Sequence, residues 1–254
     1  MKKIIFLLIV CLFVFSFPWV KFINKNFFPL LNTSDIRIFY YTDIEDLAIA
    51  VDRQDSASIC KILNRHPELV NKKDDVFGTT VLSYAVTQKK YRSMRVLIKN
   101  GADPSEGENN PIFTSVWRHE DKVLDELLCA PRMQKRSNLL PTLIRTIWDT
   151  CYSKYYEPIV NLNIIKYDTE GELINTAMRE GRYDMAIDLL QRGACFKNDV
   201  EFKRTYGSKR LLTDYLEDKD PTDSLQCQYK HQFISMLEER GLYKRKEEDL
   251  KKED

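Results

Sequence analysis

The chain has few of the residues on which enzyme chemistry and nucleotide binding usually depend. Its 254 residues include 8 glycines and 3 histidines. No glycine-rich phosphate loop, GxSxG nucleophile motif or HExxH zinc motif occurs in it. The scarcity of glycine argues against a glycine-rich nucleotide-binding fold, and it fits a mostly helical chain in which glycine is needed only at caps and turns.

The sequence also gives no sign of a metal site or of a catalytic triad. The histidines, His66, His119 and His231, lie far apart, and no two of them stand at the helical i, i+4 spacing. The 6 cysteines form no CxxC pair and lie mostly among apolar residues, so we predict buried helical thiols, with a single disulfide left open. The formal net charge of +1 provides no concentrated basic face. We therefore expect no catalytic residues, no metal, no cofactor and no nucleic-acid partner.

The N-terminus carries a long uncharged apolar run. Two lysines precede residues 4–20, IIFLLIVCLFVFSFPWV, and this combination is typical of a secretory signal or a signal anchor. Its length is at the lower limit for a bilayer span, which takes about 20 residues. Three outcomes remain open: an uncleaved anchor, cleavage after Ser16, and lipidation at Cys11, where residues 8–11 resemble a bacterial lipobox with Val10 in place of the usual small residue. We expect the remainder to be membrane-anchored facing the periplasm, or periplasmic after cleavage.

A compact two-helix cassette spans residues 78–104. Apolar residues at i, i+1, i+4 and i+5 spacing between 81 and 86 predict one amphipathic helix, and those between 94 and 98 predict a second. Gly101 stands where a helix end favours a left-handed residue, and Asp103-Pro104 cannot continue the helix. Such a unit cannot bury its apolar faces alone, so we expect it to stack against similar units.

This cassette resembles the ankyrin repeat, a β-turn followed by two helices over about 33 residues. The residues that carry the resemblance are Gly78, Thr80, Leu82, Ala85, Leu97 and Gly101-Ala102-Asp103. The cassette departs from the family pattern at Val81, Ser83 and Lys89, where proline, histidine and glycine are usual.

The cassette recurs along the chain. The equivalent apolar positions, at steps of 35, 30, 32 and 30 residues, are Leu47, Leu82, Ile112, Ile144 and Ile174. The fourth repeat matches least well, and there we place Trp148 on the buried face. The sequence predicts an all-α, ankyrin-repeat solenoid of five to six helix-turn-helix units behind an N-terminal apolar segment. Its parts are a signal peptide or signal anchor (1–20), a connector (21–43), ankyrin repeats (44–195), a degenerate C-terminal capping repeat (196–242) and a charged tail (243–254).

The resemblance implies where a partner would bind. In ankyrin arrays, contacts come from the turn tips and from the two residues after the first helix of each repeat, which would be Asp149 and Thr150 in the fourth. Exposed Trp and Arg side chains are also enriched at the energetic centres of interfaces. For Trp117 and Phe77, packing against a neighbouring repeat remains an equal alternative. The residues predicted to bind a partner are Arg53, Phe77, Gln88, Trp117, Arg118, Arg179 and Glu180.

These observations predict a non-enzymatic, protein-binding module of the cell envelope. One role is that of an immunity protein, which binds and blocks a secreted toxin or effector. The other is an envelope scaffold or protective partner of a periplasmic enzyme. An enzyme with a site built between repeats is the third possibility, and the lack of any convergent His, Ser or Cys set disfavours it.

Overall fold

The computed structural model describes residues 32–197, 202–203, 209–210, 216, 221 and 223–244. The predicted signal or anchor, the first part of the connector (21–31) and most of the charged tail lie outside these residues. Within the described part of the chain, no helix is both long enough and apolar enough to cross a membrane. The chain divides into two compact units: the first comprises residues up to 114 together with 125–134, and the second comprises 115–124 and the residues from 135 onward.

About half of the described residues lie in α-helices. The first unit contains α1 (Glu45–Asp52), α2 (Ser56–Arg65), α3 (Val81–Thr87) and α4 (Tyr91–Lys99). Helices α5 (Pro111–Trp117) and α6 (Asp121–Leu128) contribute to both units. The second unit contains α7 (Leu140–Trp148), α8 (Tyr156–Val160), α9 (Glu172–Arg179), α10 (Tyr183–Gln191) and α11 (Ser224–Glu239). Short 3-10 turns are Ile36–Phe39, Pro67–Asn71, Arg136–Leu139, Thr150–Tyr155 and Ile165–Tyr167.

The helices come in pairs joined by one recurring turn, which confirms the predicted repeat. In four repeats, the same residue of the first helix accepts, at its carbonyl, a hydrogen bond from the backbone N–H five residues later. These acceptor and donor pairs, 2.7 to 3.0 Å apart, are Ala50 and Asp55, Ala85 and Lys90, Ser115 and Glu120, and Ala177 and Arg182. The residue before each donor has a φ between 55° and 67°, and these four residues are Gln54, Lys89, His119 and Gly181.

Small residues occupy the buried side of each first helix. Ala85 and Ala177 are fully buried, as the close approach of neighbouring helices requires, and Ser115 and Thr146 take the equivalent positions with no exposed surface. Leu97, on the second helix of the central cassette, is also fully buried. The core of the described residues therefore follows the helical periodicity of the sequence.

The fourth repeat corrects the predicted alignment by one residue. Leu143 and Ile147 are fully buried, whereas Ile144 is half-buried and Trp148 is 51% exposed. The prediction that Trp148 lies in the core is therefore wrong, and Leu143 replaces Ile144 as the equivalent of Leu82. Its turn also differs, because a 3-10 turn begins after Asp149, whose carboxylate accepts a hydrogen bond from the backbone N–H of residue 151 at 3.0 Å.

Side chains at the repeat exits link successive repeats of the first unit. The Asn71 side-chain oxygen accepts a hydrogen bond from the Asp103 backbone N–H at 2.7 Å. The Asp103 carboxylate in turn accepts one from the Gln134 backbone N–H, also at 2.7 Å. Asp103 is buried, and a buried carboxylate of this kind is stabilised by the hydrogen bonds it accepts. The same Asx position therefore fastens each exit to the next.

The C-terminal part keeps the end of a repeat but adds an element. Helix α11 ends like α4 and α10, because a glycine with positive φ follows it and Leu242 N–H bonds the Leu237 carbonyl at 2.9 Å. Most of the predicted first helix of this capping repeat lies outside the described residues. Two short antiparallel strands, β1 (Phe202–Lys203) and β2 (Lys209–Arg210), pair with Phe202 opposite Arg210. The sequence pattern did not indicate them.

The prediction of buried thiols is wrong. Cys60, Cys195 and Cys227 are half-buried, and Cys129 and Cys151 are exposed. None of these five forms a disulfide, and Cys11 lies outside the described residues. The error arose because apolar neighbours in sequence do not fix the helix face on which a side chain lies.

Candidate protein-binding surface

Most of the predicted partner-binding residues occupy one structural position, the C-terminal end of the first helix of a repeat. Arg53, Gln88, Arg118 and Glu180 each precede the residue of positive φ in the turn. Trp117 and Arg179 lie one residue earlier, at the last positions of α5 and α9. The side chains of Arg53, Trp117, Arg118, Arg179 and Glu180 are exposed, and that of Gln88 is half-buried.

In the first unit, Phe77 lies on a turn that a buried carboxylate holds in place. Asp74 accepts hydrogen bonds from the backbone N–H groups of Val76, Phe77 and Thr79 at 2.9, 2.7 and 2.6 Å. The Phe77 side chain is half-buried, and Val76 beside it is 47% exposed. The turn tip is therefore fixed in its backbone and partly apolar on its surface.

Two other predicted partner-binding residues of this unit are Gln88, which bonds within the unit, and Arg53, which lines a groove. The Gln88 side-chain amide donates a hydrogen bond to the Ser34 carbonyl, so it holds the start of the described chain against α3. Arg53 lines a groove of about 540 Å³ on the first helix pair. Charges of both signs line this groove, including Asp46 and Lys61. The groove therefore favours neither an anionic nor a cationic ligand.

A polar network lies at the C-terminal end of α1, where Asp52 precedes Arg53. The Asp52 carboxylate accepts a hydrogen bond from the Tyr84 hydroxyl at 2.8 Å and pairs with Lys90 Nζ at 2.9 Å. Partial burial pushes the pKa of the Asp52 carboxyl upward, but the hydrogen bonds from Lys90 and Tyr84 outweigh it and hold that pKa below its ordinary value. Burial and the neighbouring Asp52 carboxylate raise the pKa of the Tyr84 hydroxyl well above its ordinary value.

In the second unit, Trp117 belongs to a cluster of aromatic rings. Its indole stacks on Tyr152 with centroids 6.0 Å apart and planes 17° apart. His119 stacks on the same tyrosine at 4.8 Å with planes 2° apart. Trp117 is 49% exposed and Tyr152 is buried. Trp117 therefore packs on its own unit through one part of its surface and presents the rest to solvent.

Arg145 joins this cluster to a second tryptophan. Its guanidinium carbon lies over the rings of Trp117 and Trp148, 4.6 Å from each centroid, and 5.0 Å from the centroid of Tyr152. A cation over an indole face is attracted by about 0.5 to 2 kcal/mol, depending on its exposure. Arg145 also forms an ion pair with Asp149 at 3.3 Å. We call the three side chains of Trp117, Arg145 and Trp148 the tryptophan clamp.

A polar group borders the aromatic cluster. Asp121 pairs with Lys154 Nζ at 2.9 Å and accepts a hydrogen bond from the Tyr155 hydroxyl at 2.5 Å. These hydrogen bonds, the one from Tyr155 first, lower the pKa of the Asp121 carboxyl. In the same unit, Arg179 and Glu180 lie 3.4 Å apart as a neighbouring ion pair. The surface of this unit thus carries paired charges next to half-exposed tryptophans.

Trp148, Arg145 and Tyr152 were missing from the predicted surface. In the corrected alignment, Trp148 is the equivalent of Trp117, so the two tryptophans end the first helices of successive repeats. The uncorrected alignment assigned Asp149 and Thr150 to this place. Counting forward from Trp117 by one repeat length would have found Trp148, since the separation of these two residues is 31.

No protein-family model and no curated protein matches the chain. The chain is similar to the crystal structure of the ankyrin-repeat protein EF0377, with 18% identity over 76% of this chain and 98% of the other, at a TM-score of 0.43. Among the described residues, no group of three or more His, Cys, Asp or Glu side chains could hold a metal ion. The recurring turns, glycine caps and buried small residues give the described chain an ankyrin-repeat-like fold.

Proposed function

We propose that this protein binds another protein in the cell envelope and acts as an immunity protein, blocking a secreted toxin or effector. The observation that carries the binding function is the tryptophan clamp, in which two half-exposed indoles occupy equivalent repeat positions. Tryptophan and arginine are the side chains most enriched at the energetic centres of interfaces. Two tryptophans held around an arginine on one surface are what we expect at the centre of a binding site.

The clamp is suited to binding because its side chains are already ordered. Ordering a mobile side chain at an interface costs about 0.5 to 1.5 kcal/mol. Stacking on Tyr152 and on the Arg145 guanidinium fixes the indoles before a partner arrives. Arg118, next to Trp117, and Arg179, at the end of α9, extend the proposed surface along the equivalent positions.

The envelope location rests on the sequence of residues 4–20 and on no feature of the described structure. In this proposal the segment directs residues 21–254 out of the cytoplasm and attaches the chain to the membrane, unless it is cleaved. Alkaline phosphatase fused to the C-terminus should then be active. An inactive fusion in a well-expressed chain would contradict the location while leaving the binding function intact.

Immunity and scaffolding predict different partners. An immunity protein binds a toxin whose reading frame lies beside its own, and it abolishes the toxin's activity in stoichiometric amounts. A scaffold or protective partner binds a resident envelope enzyme and leaves that enzyme active. The identity of the neighbouring gene product therefore determines which assay is decisive.

The test is co-purification of the full chain with the product of the adjacent reading frame, in parallel with Trp117→Ala and Trp148→Ala variants. We expect a stable complex with the parent chain and about 2 kcal/mol or more of lost affinity for each variant. The matched control is Leu225→Ala, which removes an apolar side chain of similar exposure, 51%, from α11. Equal binding by all four chains would contradict the proposed surface, and undiminished partner activity in the complex would favour the scaffold.

A further inference from the structure

We propose that the tryptophan clamp takes a carboxylate-bearing segment of the partner protein. This inference rests on the protein-binding function above and adds the chemistry of what is bound. It follows from Arg145, whose guanidinium has more hydrogen-bond donors than the acceptors around it occupy.

The guanidinium of Arg145 is enclosed by aromatic rings. It lies over the faces of Trp117, Trp148 and Tyr152, and its side chain is only 21% exposed. Ring faces offer attraction to a cation but no strong hydrogen-bond acceptor. The N–H donors of the guanidinium must therefore find acceptors in the directions that the rings leave open.

Within the described residues, those acceptors are few. The Arg145 Nε atom is buried and has no hydrogen-bond partner there. The ion pair with Asp149 is long, at 3.3 Å from Nη2, and the other oxygen of Asp149 accepts from the Cys151 N–H. An arginine carries five N–H donors in a planar fork that matches a carboxylate. Because Nε is buried, an incoming carboxylate would contact the Nη donors, which form only one long ion pair within the described residues. A partly desolvated arginine in this state favours a second carboxylate.

The two acidic groups beside the clamp, Asp149 and Asp121, are each paired with a cation. Asp121 is already paired with Lys154 at 2.9 Å and bonded by Tyr155. Arg118 is an exposed cation next to Trp117. The carboxylate would thus approach a surface that carries Arg118 as well as Arg145, with Asp121 paired to Lys154 and Asp149 paired to Arg145.

The half-exposed indoles distinguish a protein segment from a small free acid. Trp117 and Trp148 are 49% and 51% exposed, which leaves apolar surface beside the guanidinium. A bound Asp or Glu side chain with apolar neighbours in its own chain would cover this surface while its oxygens contact Arg145. An isolated carboxylate ion would leave the indoles uncovered.

The experiment is a selection from a random peptide library displayed on phage, using the full chain as bait and removing peptides that also bind the Trp117→Ala, Trp148→Ala double variant. We expect the retained peptides to share an Asp or Glu at one position beside apolar residues. In a synthetic copy of one such peptide, changing that residue to Asn or Gln should weaken binding to the parent chain at least about tenfold. Arg145→Met should weaken binding of the acidic peptide by a similar factor and leave binding of the amide version unchanged.

Each outcome decides the proposal. Retained peptides that are neutral or basic, an amide version that binds as well as the acid, or a selection with no clamp-dependent peptide would overturn the carboxylate preference. The comparison of acid and amide uses the parent chain, so it stands even where Arg145→Met does not fold. If the adjacent gene product still binds in a Trp117- and Trp148-dependent manner, the proposed function survives the loss of this inference.

Discussion

Replacing Gly181 by alanine isolates the cost of the left-handed backbone in the recurring turn. Gly181 has a φ of +67°, and a Cβ built on it would meet nothing within 4 Å. The substitution therefore adds no clash, and its whole effect comes from forcing an L-residue into the left-handed region. Residues Gln54, Lys89 and His119 occupy the same place in other repeats, so the fold tolerates this cost.

The magnitude follows from two opposing terms. A left-handed conformation costs an L-residue roughly 1 to 2 kcal/mol. Alanine also restricts the unfolded chain relative to glycine, which returns about 0.4 to 1 kcal/mol of stability. Gly181→Ala should therefore lower the free energy of unfolding by about 1 kcal/mol. Gly181→Asn should cost less, because asparagine visits the left-handed region more readily.

A second glycine of the same unit provides the comparison. Gly171 has a similar φ of +74°, but its added Cβ would lie 3.0 Å from the Cys195 carbonyl oxygen. That contact requires the backbone to move, and overpacking of this kind adds about 1 to 3 kcal/mol. Gly171→Ala should consequently be more destabilising than Gly181→Ala by at least about 1 kcal/mol.

Equilibrium unfolding in urea, followed by far-ultraviolet circular dichroism, measures both differences. Gly193→Ala serves as a replicate, since Gly193 has a φ of +85° and equally open space around it. A Gly181→Ala chain as stable as the parent would refute the left-handed turn. Equal losses at Gly181 and Gly171 would refute the close approach of the Cys195 carbonyl.

Three further predictions concern the core, the surface and pH. Ala85→Leu should cost about 1 to 3 kcal/mol by overpacking and Leu97→Ala about 2 to 5 kcal/mol by leaving a cavity, measured as urea midpoints; unchanged midpoints would contradict the repeat alignment. Trp148→Ala should shift the thermal midpoint little, because half of the side chain is exposed, and a large shift would assign it to the core after all. Hydrogen bonds from Lys90 hold the Asp52 pKa below its ordinary value against an opposing effect of burial. The contribution of Asp52 to the free energy of unfolding is therefore complete above the unfolded pKa of about 3.9 and disappears as pH falls through the lower folded pKa. Asp52→Asn should flatten the stability profile in that acidic range, and a profile that does not change there would exclude the network.

The repeat could be predicted from the sequence because its signals are local. Apolar spacing between 81 and 86 fixes one helix face, and Gly101 and Gly193 mark helix ends where the backbone becomes left-handed. The repeat length then transfers these assignments along the chain. Where both signals are present, as in the second and fifth repeats, the predicted helices and the buried small residues are confirmed.

The fourth repeat could not be aligned because it lacks the signals that fix the register. Its first helix has three apolar residues within five positions, Leu143, Ile144 and Ile147, and a one-residue shift leaves most of them on an apolar stripe. In place of the recurring left-handed turn, Asp149 begins a 3-10 turn. Periodicity without a turn marker therefore identified the helix and missed its rotation. That error placed Trp148 in the core.

The residue type at the last position of each first helix can differ between repeats, because the fold constrains the backbone there and not the side chain. The residues at this position are Asp52, Thr87, Trp117, Trp148 and Arg179. A backbone hydrogen bond holds the turn in four repeats, and the Asp149 side chain holds it in the fourth repeat of the chain. The side chain that precedes the turn is therefore not needed to form it. In the first unit Asp52 is used internally, through Lys90 and Tyr84. In the second unit two tryptophans occupy the position, and the packing of the turn does not require them. A binding function is the explanation we propose for these two tryptophans.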